Sequence, residues 1–312
     1  MSVERVATNS QAQYLLARIM QANQSLSRTQ QQVSSGKISD NYGGINDKTA
    51  ALEAARAAAE RASAYATNTQ LSLTQTDLQD TQLTNLSGLA QQLKDALTSA
   101  AGNADGTSLM VTAQSVFEQA ASILNATDSN GNYIYGGQKT DTKPFTATSL
   151  AELAGAPVSS FFVNGSQKKT VQVGDGQTEQ IGILASDIGT NLMNALRTLY
   201  QQDTPSGSLD GQLTSSQVDG LTSTVVPLAN QATDELNAAA AANGNVYKSL
   251  KDAITHQQSL STLYGGFVSD IEDVDMAQAL TNLTQDQIAL QAALTVAARL
   301  GQVSLLNYLP VL

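Results

Sequence analysis

The segment Ser269–Leu309 reads SDIEDVDMAQALTNLTQDQIALQAALTVAARLGQVSLLNYL. From Met276 its apolar residues return at mostly three- and four-residue steps, at Leu280, Leu283, Leu290, Leu294 and Ala297, which is the spacing of a helix with one narrow apolar seam. Continuous to Ser304, such a helix is about 43 Å long at about 1.5 Å per residue. A seam this narrow cannot be buried by its own helix, so it demands a partner.

The opposite end of the chain has the same need. From Ala12 the small and apolar positions step through Leu15, Ile19, Ala22, Leu26, Thr29 and Val33, and the pattern breaks at Gly36 in SSGK. SDNYGGIND, Ser39–Asp47, is loop by composition. A second long helix is predicted over Lys48–Ser99, alanine-rich at first (Leu52, Ala55, Ala59, Ala62, Ala66), then leucine-rich (Leu86, Leu89, Leu93, Leu97). A third is predicted near Ser108–Thr127. A further run steps from Leu236 through Val246, Leu250, Leu260, Tyr264 and Phe267 to Val274, with Asn243 and Gln257 as polar gaps. The glycine pairs at Gly43 and Gly265 are expected where helices stop or bend.

Three-four seams usually face an internal core. Here they run to both chain ends, where a monomer normally frays, and this favours packing between subunits. Leu15, Ile19, Leu26, Val33, Leu283, Leu290, Leu294, Leu305, Leu306, Tyr308 and Leu309 are the candidate assembly residues.

The middle of the chain has a different texture. SSFFVNGSQKKTVQVGDGQTEQIGI carries β-branched and aromatic runs punctuated by Asn164-Gly165 and Gly174-Asp175-Gly176, which predicts a hairpin with tight turns. A helix over Ile188–Gln202 and a Gly, Ser, Thr and Asp linker follow. The expected fold is mainly α with a small β-rich insert, its long N- and C-terminal helices paired into a coiled-coil rod and an outer domain inserted mid-chain. The expected division is 1–40 with 276–312 as an inner terminal domain, 41–135 with 187–275 as a helical rod domain, and 136–186 as the outer domain.

Composition narrows the function. Hydrophobic residues make up 41% of the chain but aromatics only 4%, so the apolar content is mostly Ala, Leu and Val, which suits thin helical packing. The net charge of -11 would repel a polyanion, which argues against nucleic acid and anionic membranes. Without cysteine there is no disulfide or thiolate chemistry, which suits a chain that crosses from a reducing to an oxidising space. No run of about 18 apolar residues occurs, so no membrane insertion is expected. The opening MSVERVATNSQAQYLL lacks a basic head with an apolar run, so any export is expected without a cleavable signal.

Catalytic and metal constellations do not assemble from these residues. Asp128, Asn130 and Asn132 alternate as in a calcium loop, but Tyr133 stands where the turn needs glycine and Lys139 where a bidentate Glu is needed. His256 is the only histidine, so a triad or zinc site has no partners to draw on. GDGQTEQ at Gly174 has no Lys-Ser or Lys-Thr after it and reads as a hairpin turn. The expectation is a chain with no catalytic, cofactor-binding or metal residue.

Between the third helix and the insert stands NYIYGGQKTDTKPF, Asn132–Phe145. Tyr133 and Tyr135 can dock on the helices, Gly136 and Gly137 permit a backbone reversal, and Pro144 stiffens the exit. This stretch, with RVATNSQAQYLLARI and QQQVSSGKIS near the start and the closing Ser269–Leu309, resembles the flagellin-like family of bacterial axial proteins, and the tyrosine-glycine stretch favours the family's junction proteins over its filament proteins. One departure is ISDNYGGINDKTAAL, where Asp47 stands alone in place of the family's Asp-Asp-Pro-Ala. The resemblance implies an extracellular structural subunit exported by the flagellar type III apparatus. It implies a homo-oligomeric ring layer at the hook–filament junction, between another junction protein of the hook tip and flagellin, an export chaperone, and no cofactor. A filament flagellin, or a helical surface adhesin or enzyme with coiled-coil ends, is the alternative.

Overall fold

The computed structural model describes residues 2–203 and 207–306, with side chains for 10–45, 47–203 and 207–299. In chain order the elements are α1 (Ser2–Ser35), α2 (Thr49–Asn103), α3 (Leu109–Leu124), α4 (Leu150–Gly155), β1 (Thr170–Gly174), β2 (Gln177–Gln180), α5 (Ala185–Asp203), α6 (Ser215–Gly220), α7 (Val226–Glu272) and α8 (Met276–Leu306). The fold is mainly α with a small two-stranded insert, and the terminal helices α1 and α8 pack along each other. The chain divides into two compact units, 1–61 with 260–312 and 62–259.

Local chemistry explains most boundaries. α1 ends at Gly36, whose φ of 73° is a left-handed conformation open to glycine, and the Gly36 N–H closes the last turn on Gln32 O at 2.9 Å. α2 runs 55 residues although rich in Ser and Thr. Its hydroxyls at Thr67, Thr69, Ser72, Thr76 and Thr98 donate to carbonyls four residues back, so they consume no outside partner. Thr214 and Gln217 form a capping box at the start of α6. A π turn over Leu221–Val225 joins α6 to α7. Pro227 has no N–H to offer Ser223 four residues back, so the hydrogen-bond ladder must shift there.

The larger unit holds the main core. Leu83, Leu86, Leu93 and Leu97 of α2 cluster with Val116 and Phe117 of α3, Leu192, Leu196 and Leu199 of α5, and Leu236 of α7, all buried. A second cluster seats the hairpin on the long helices: Val173 and Ile181 meet Leu73 of α2 and Leu250 and Ile254 of α7. Thr76, Gln79 and Asn243, all buried and polar, lie along the two helices between these clusters. Asn243 Nδ2 donates to Thr76 O at 3.0 Å and Gln257 Nε2 to Val173 O at 2.9 Å, so the polar gaps in the α7 seam are the points where α7 is pegged to α2 and to β1.

Two readings of the sequence change. Gly265 and Gly266 lie inside α7 and do not end it. Glycine in a helix costs only about 1 kcal/mol against alanine, less than the flanking turns supply. In the insert only Asp175-Gly176 closes a hairpin, pairing Val171 with Glu179. Asn164-Gly165 instead docks on the preceding turn, through Gly165 N to Gly136 O at 2.8 Å. The aromatic run before it forms a short 3-10 turn, Val158–Phe161, because its rings are drawn into the core around Phe145, with Phe162 at 5.0 Å between centroids.

Candidate assembly surface

The face that α1 turns to α8 is built from the predicted seam. Leu15, Ile19, Ala22, Leu26 and Val33 are half-buried and Thr29 is buried, while residues between them on α1 are mostly exposed. On α8 the matching line runs through Ala279, which is buried, and Leu283, Asp286, Leu290, Ala293 and Ala297, which are half-buried. Leu294 lies beside this line and is exposed. At the centre the seam is polar: Asp286 accepts from Thr29 Oγ1 at 2.7 Å and from Ser25 Oγ at 2.9 Å. Asp286 is not among the apolar positions that mark the seam in the sequence. Its signal was the gap in apolar stepping between Leu283 and Leu290.

The outer faces of these helices also carry large apolar side chains. Tyr14, Leu16 and Met20 of α1, Leu263 and Phe267 of α7, and Met276, Leu280, Ile288, Leu294 and Val296 of α8 are each between 42% and 61% exposed. Isolated exposed apolar residues are ordinary on soluble proteins, and the number of large ones on this one unit makes it a candidate interaction surface. Leu305, Leu306, Tyr308 and Leu309, the remaining assembly candidates, lie outside the residues whose side chains are described.

The tyrosine-glycine stretch is a tightly pinned turn within the larger unit. Tyr135 is fully buried, its hydroxyl donates to Gln82 Oε1 of α2 at 2.6 Å, and its carbonyl accepts from Ala185 N at 3.0 Å. Burial pushes its phenol well above the ordinary range. Tyr133 is half-buried and its N–H donates to Thr140 O at 2.8 Å. Gly137 has a φ of 65°, and a Cβ there would stand 2.7 Å from both Gln167 O and Leu184 Cδ2. A Cβ on Gly136 would stand 2.3 Å from Lys139 O. Asn125 closes the far end, accepting from Phe145 N at 2.9 Å and donating to Phe145 O at 3.0 Å.

The residues weighed for chemistry have structural occupations. Asp128 Oδ1 accepts from Asn130 N at 2.8 Å and Asn132 N at 3.0 Å, and these backbone donors, Asn132 first, hold its carboxyl below the usual range. His256 is exposed on α7 beside a shallow groove that Gln177, Glu179 and Asp252 also line. Among the described residues no group of three His, Asp or Glu could hold a metal ion, and no helix is long and apolar enough to cross a membrane.

The terminal helices α1 and α8 pack along each other, and a small hairpin is inserted in the middle of the chain. Residues 226–309 match the bacterial flagellin C-terminal helical region. Flagellar hook-associated protein 3 of Escherichia coli (strain K12) is 24% identical over 209 residues, which cover 61% of this chain and 62% of that protein. A putative flagellar hook-associated protein from Vibrio parahaemolyticus superposes with a TM-score of 0.57 at 17% identity, covering 75% of this chain and 99% of that one. FlgL of Bacillus cereus superposes with a TM-score of 0.53 at 14% identity, covering 70% and 98%. The resemblance to flagellin-like axial proteins, hook-associated protein 3 among them, therefore holds in sequence and in fold.

Proposed function

We propose that this chain is a structural subunit of the bacterial flagellum that packs beside copies of itself as the layer joining hook to filament. The observation that carries this reading is the run of large exposed apolar side chains on α1, α7 and α8, the last two lying largely in the region that matches flagellin. In the proposed layer, 1–40 with 276–312 form the inner packing domain, 41–135 with 187–275 the helical domain, and 136–186 the outer domain. Leu15, Ile19, Leu26, Val33, Leu283 and Leu290 hold the terminal pair together, and Leu294 with the tail residues Leu305, Leu306, Tyr308 and Leu309 faces neighbouring copies. Tyr133, Tyr135, Gly136 and Gly137 fix the exit to the outer domain. The neighbours along the axis are another junction protein of the hook tip and flagellin. The subunit is extracellular, reaches its place by the flagellar export route with a chaperone, and does no catalysis.

The test is imaging. A tagged chain is expected as one band at the hook–filament junction, and label along the whole filament would select a filament flagellin instead. Deleting 304–312 should shed this protein and flagellin into the medium and leave cells non-motile. Normal filaments on that strain would overturn the assembly role of the tail.

A further inference from the structure

In the unit formed by 1–61 and 260–312, the last residue of α7 is a buried carboxylate, Glu272, only 6% exposed. It receives two cations from two other segments. Lys37 Nζ, from the loop after α1, lies 2.5 Å from Oε1, and the Arg56 guanidinium of α2 bonds Oε2. The backbone repeats the connection: Ile38 N donates to Glu272 O at 2.7 Å and Val274 N to Gly36 O at 2.9 Å. The loop after α1 and the turn between α7 and α8 are thus stitched side by side at the point where α1 ends and α8 begins. Around the stitch stand a cavity of about 470 Å³, lined among others by Ser39, Asn41 and Tyr42, and the half-buried seam of α1 and α8. Ile45 and the fully buried Leu52 line the same cavity.

We propose that Glu272 is an ionic latch: its pairing with Lys37 and Arg56 fastens the α1–α2 loop to the α7–α8 turn, and its loss frees the α1–α8 pair to open. A carboxylate buried without its cations is strongly disfavoured, so the latch closes only when all three segments are in place. The other charged or titratable groups near it are Asp40 and Tyr42 on the loop, Glu53 on α2, and Asp270, Asp273 and Asp275 beside the turn. Tyr42 donates to Glu53 Oε1 at 2.9 Å and Glu53 lies 3.2 Å from Arg56, which holds the guanidinium toward Glu272. Asp275 instead caps α8, accepting from Ala277 N at 2.9 Å and Gln278 N at 3.1 Å. The latch is intramolecular and does not depend on the flagellar reading.

Hydrogen exchange on the purified full-length chain tests this, because the Ile38 and Val274 amides report the stitch directly. In Glu272→Gln, exchange of peptides carrying these two amides is expected to rise by about tenfold or more, with Leu83–Leu97 unchanged. Lys37→Gln, a surface change that leaves Arg56 in place, should give a smaller rise at the same amides. If Glu272→Gln unfolds the whole chain, the local rise in Lys37→Gln decides for the latch. A local rise in Glu272→Gln alone supports a latch carried by Arg56. Wild-type exchange at Ile38 and Val274 in both variants overturns the proposal, as does a rise in Glu272→Gln that is equal across Leu83–Leu97 while Lys37→Gln shows none.

Discussion

Single side chains carry sharply different loads in this protein. Gly137 combines a positive φ with two close neighbours, so Gly137→Val should lower stability by about 1–3 kcal/mol from backbone strain alone, with the clashes added. A melting curve unchanged from wild type would show that the turn relaxes freely. Gln79 is the opposite case, fully buried with neither Nε2 nor Oε1 bonded among the described residues. Gln79→Leu removes that unmet polar group and should raise stability by about 1–3 kcal/mol, read as an increased melting temperature. Glu272 makes stability depend on pH. Lys37 and then Arg56 hold its carboxyl below the ordinary range, so its contribution is complete above that range and is lost as pH falls through the lowered value. The gap in melting temperature between wild type and Glu272→Gln should therefore be widest near neutral pH and close in acid; a gap that widens in acid would contradict the pairing.

At the scale of elements, the hairpin behaves as a clasp across α2 and α7. Its strands total nine residues, too few to be stable alone, so its place rests on Val173 and Ile181 in the apolar cluster and on polar ties. Tyr65 of α2 donates to Asp175 at 2.9 Å, and Lys169 reaches Gln75 at 3.0 Å. Ile181 is 2% exposed, so Ile181→Ala should cost about 2–5 kcal/mol and raise hydrogen exchange first in 170–180. Equal protection of the strands in the variant would mean the ties suffice without the side chain. The α1–α8 pair is built differently, from half-buried leucines and alanines around the contacts of Thr29 and Ser25 with the half-buried Asp286.

Over the whole molecule, charge and apolar surface separate. Residues 62–259 hold 17 of the 27 acidic and 8 of the 16 basic side chains, which places most of the net charge of -11 in the larger unit. The unit with the exposed apolar helices is close to neutral, so copies can meet there without strong repulsion. Leu16, Met20 and Ile288 are each more than half exposed. Their joint change to Ser should leave monomer stability within about 0.5 kcal/mol per site, as for ordinary surface positions, yet reduce incorporation into purified hook–filament structures. Full incorporation of the triple variant would remove this face from the assembly.

Sequence alone determined the features whose cause is local. The seam from Leu15 to Val33, the stop at Gly36, the leucines of α2 and the turn at Asp175-Gly176 follow from periodicity and from glycine's freedom at positive φ, which neighbours along the chain suffice to express. Periodicity says which face of a helix is buried but not what covers it. Only the tertiary structure decided that Glu272 meets Lys37 and Arg56, that Asp286 lies in the terminal seam under Thr29, and that Asn243 and Gln257 are pegs and not interruptions. Each of these joins residues at least 84 positions apart, and a polar residue in an apolar pattern looks the same whether its partner is water or a distant side chain. The partner is chosen when the helices pack, because only then does leaving a polar group unpaired become costly.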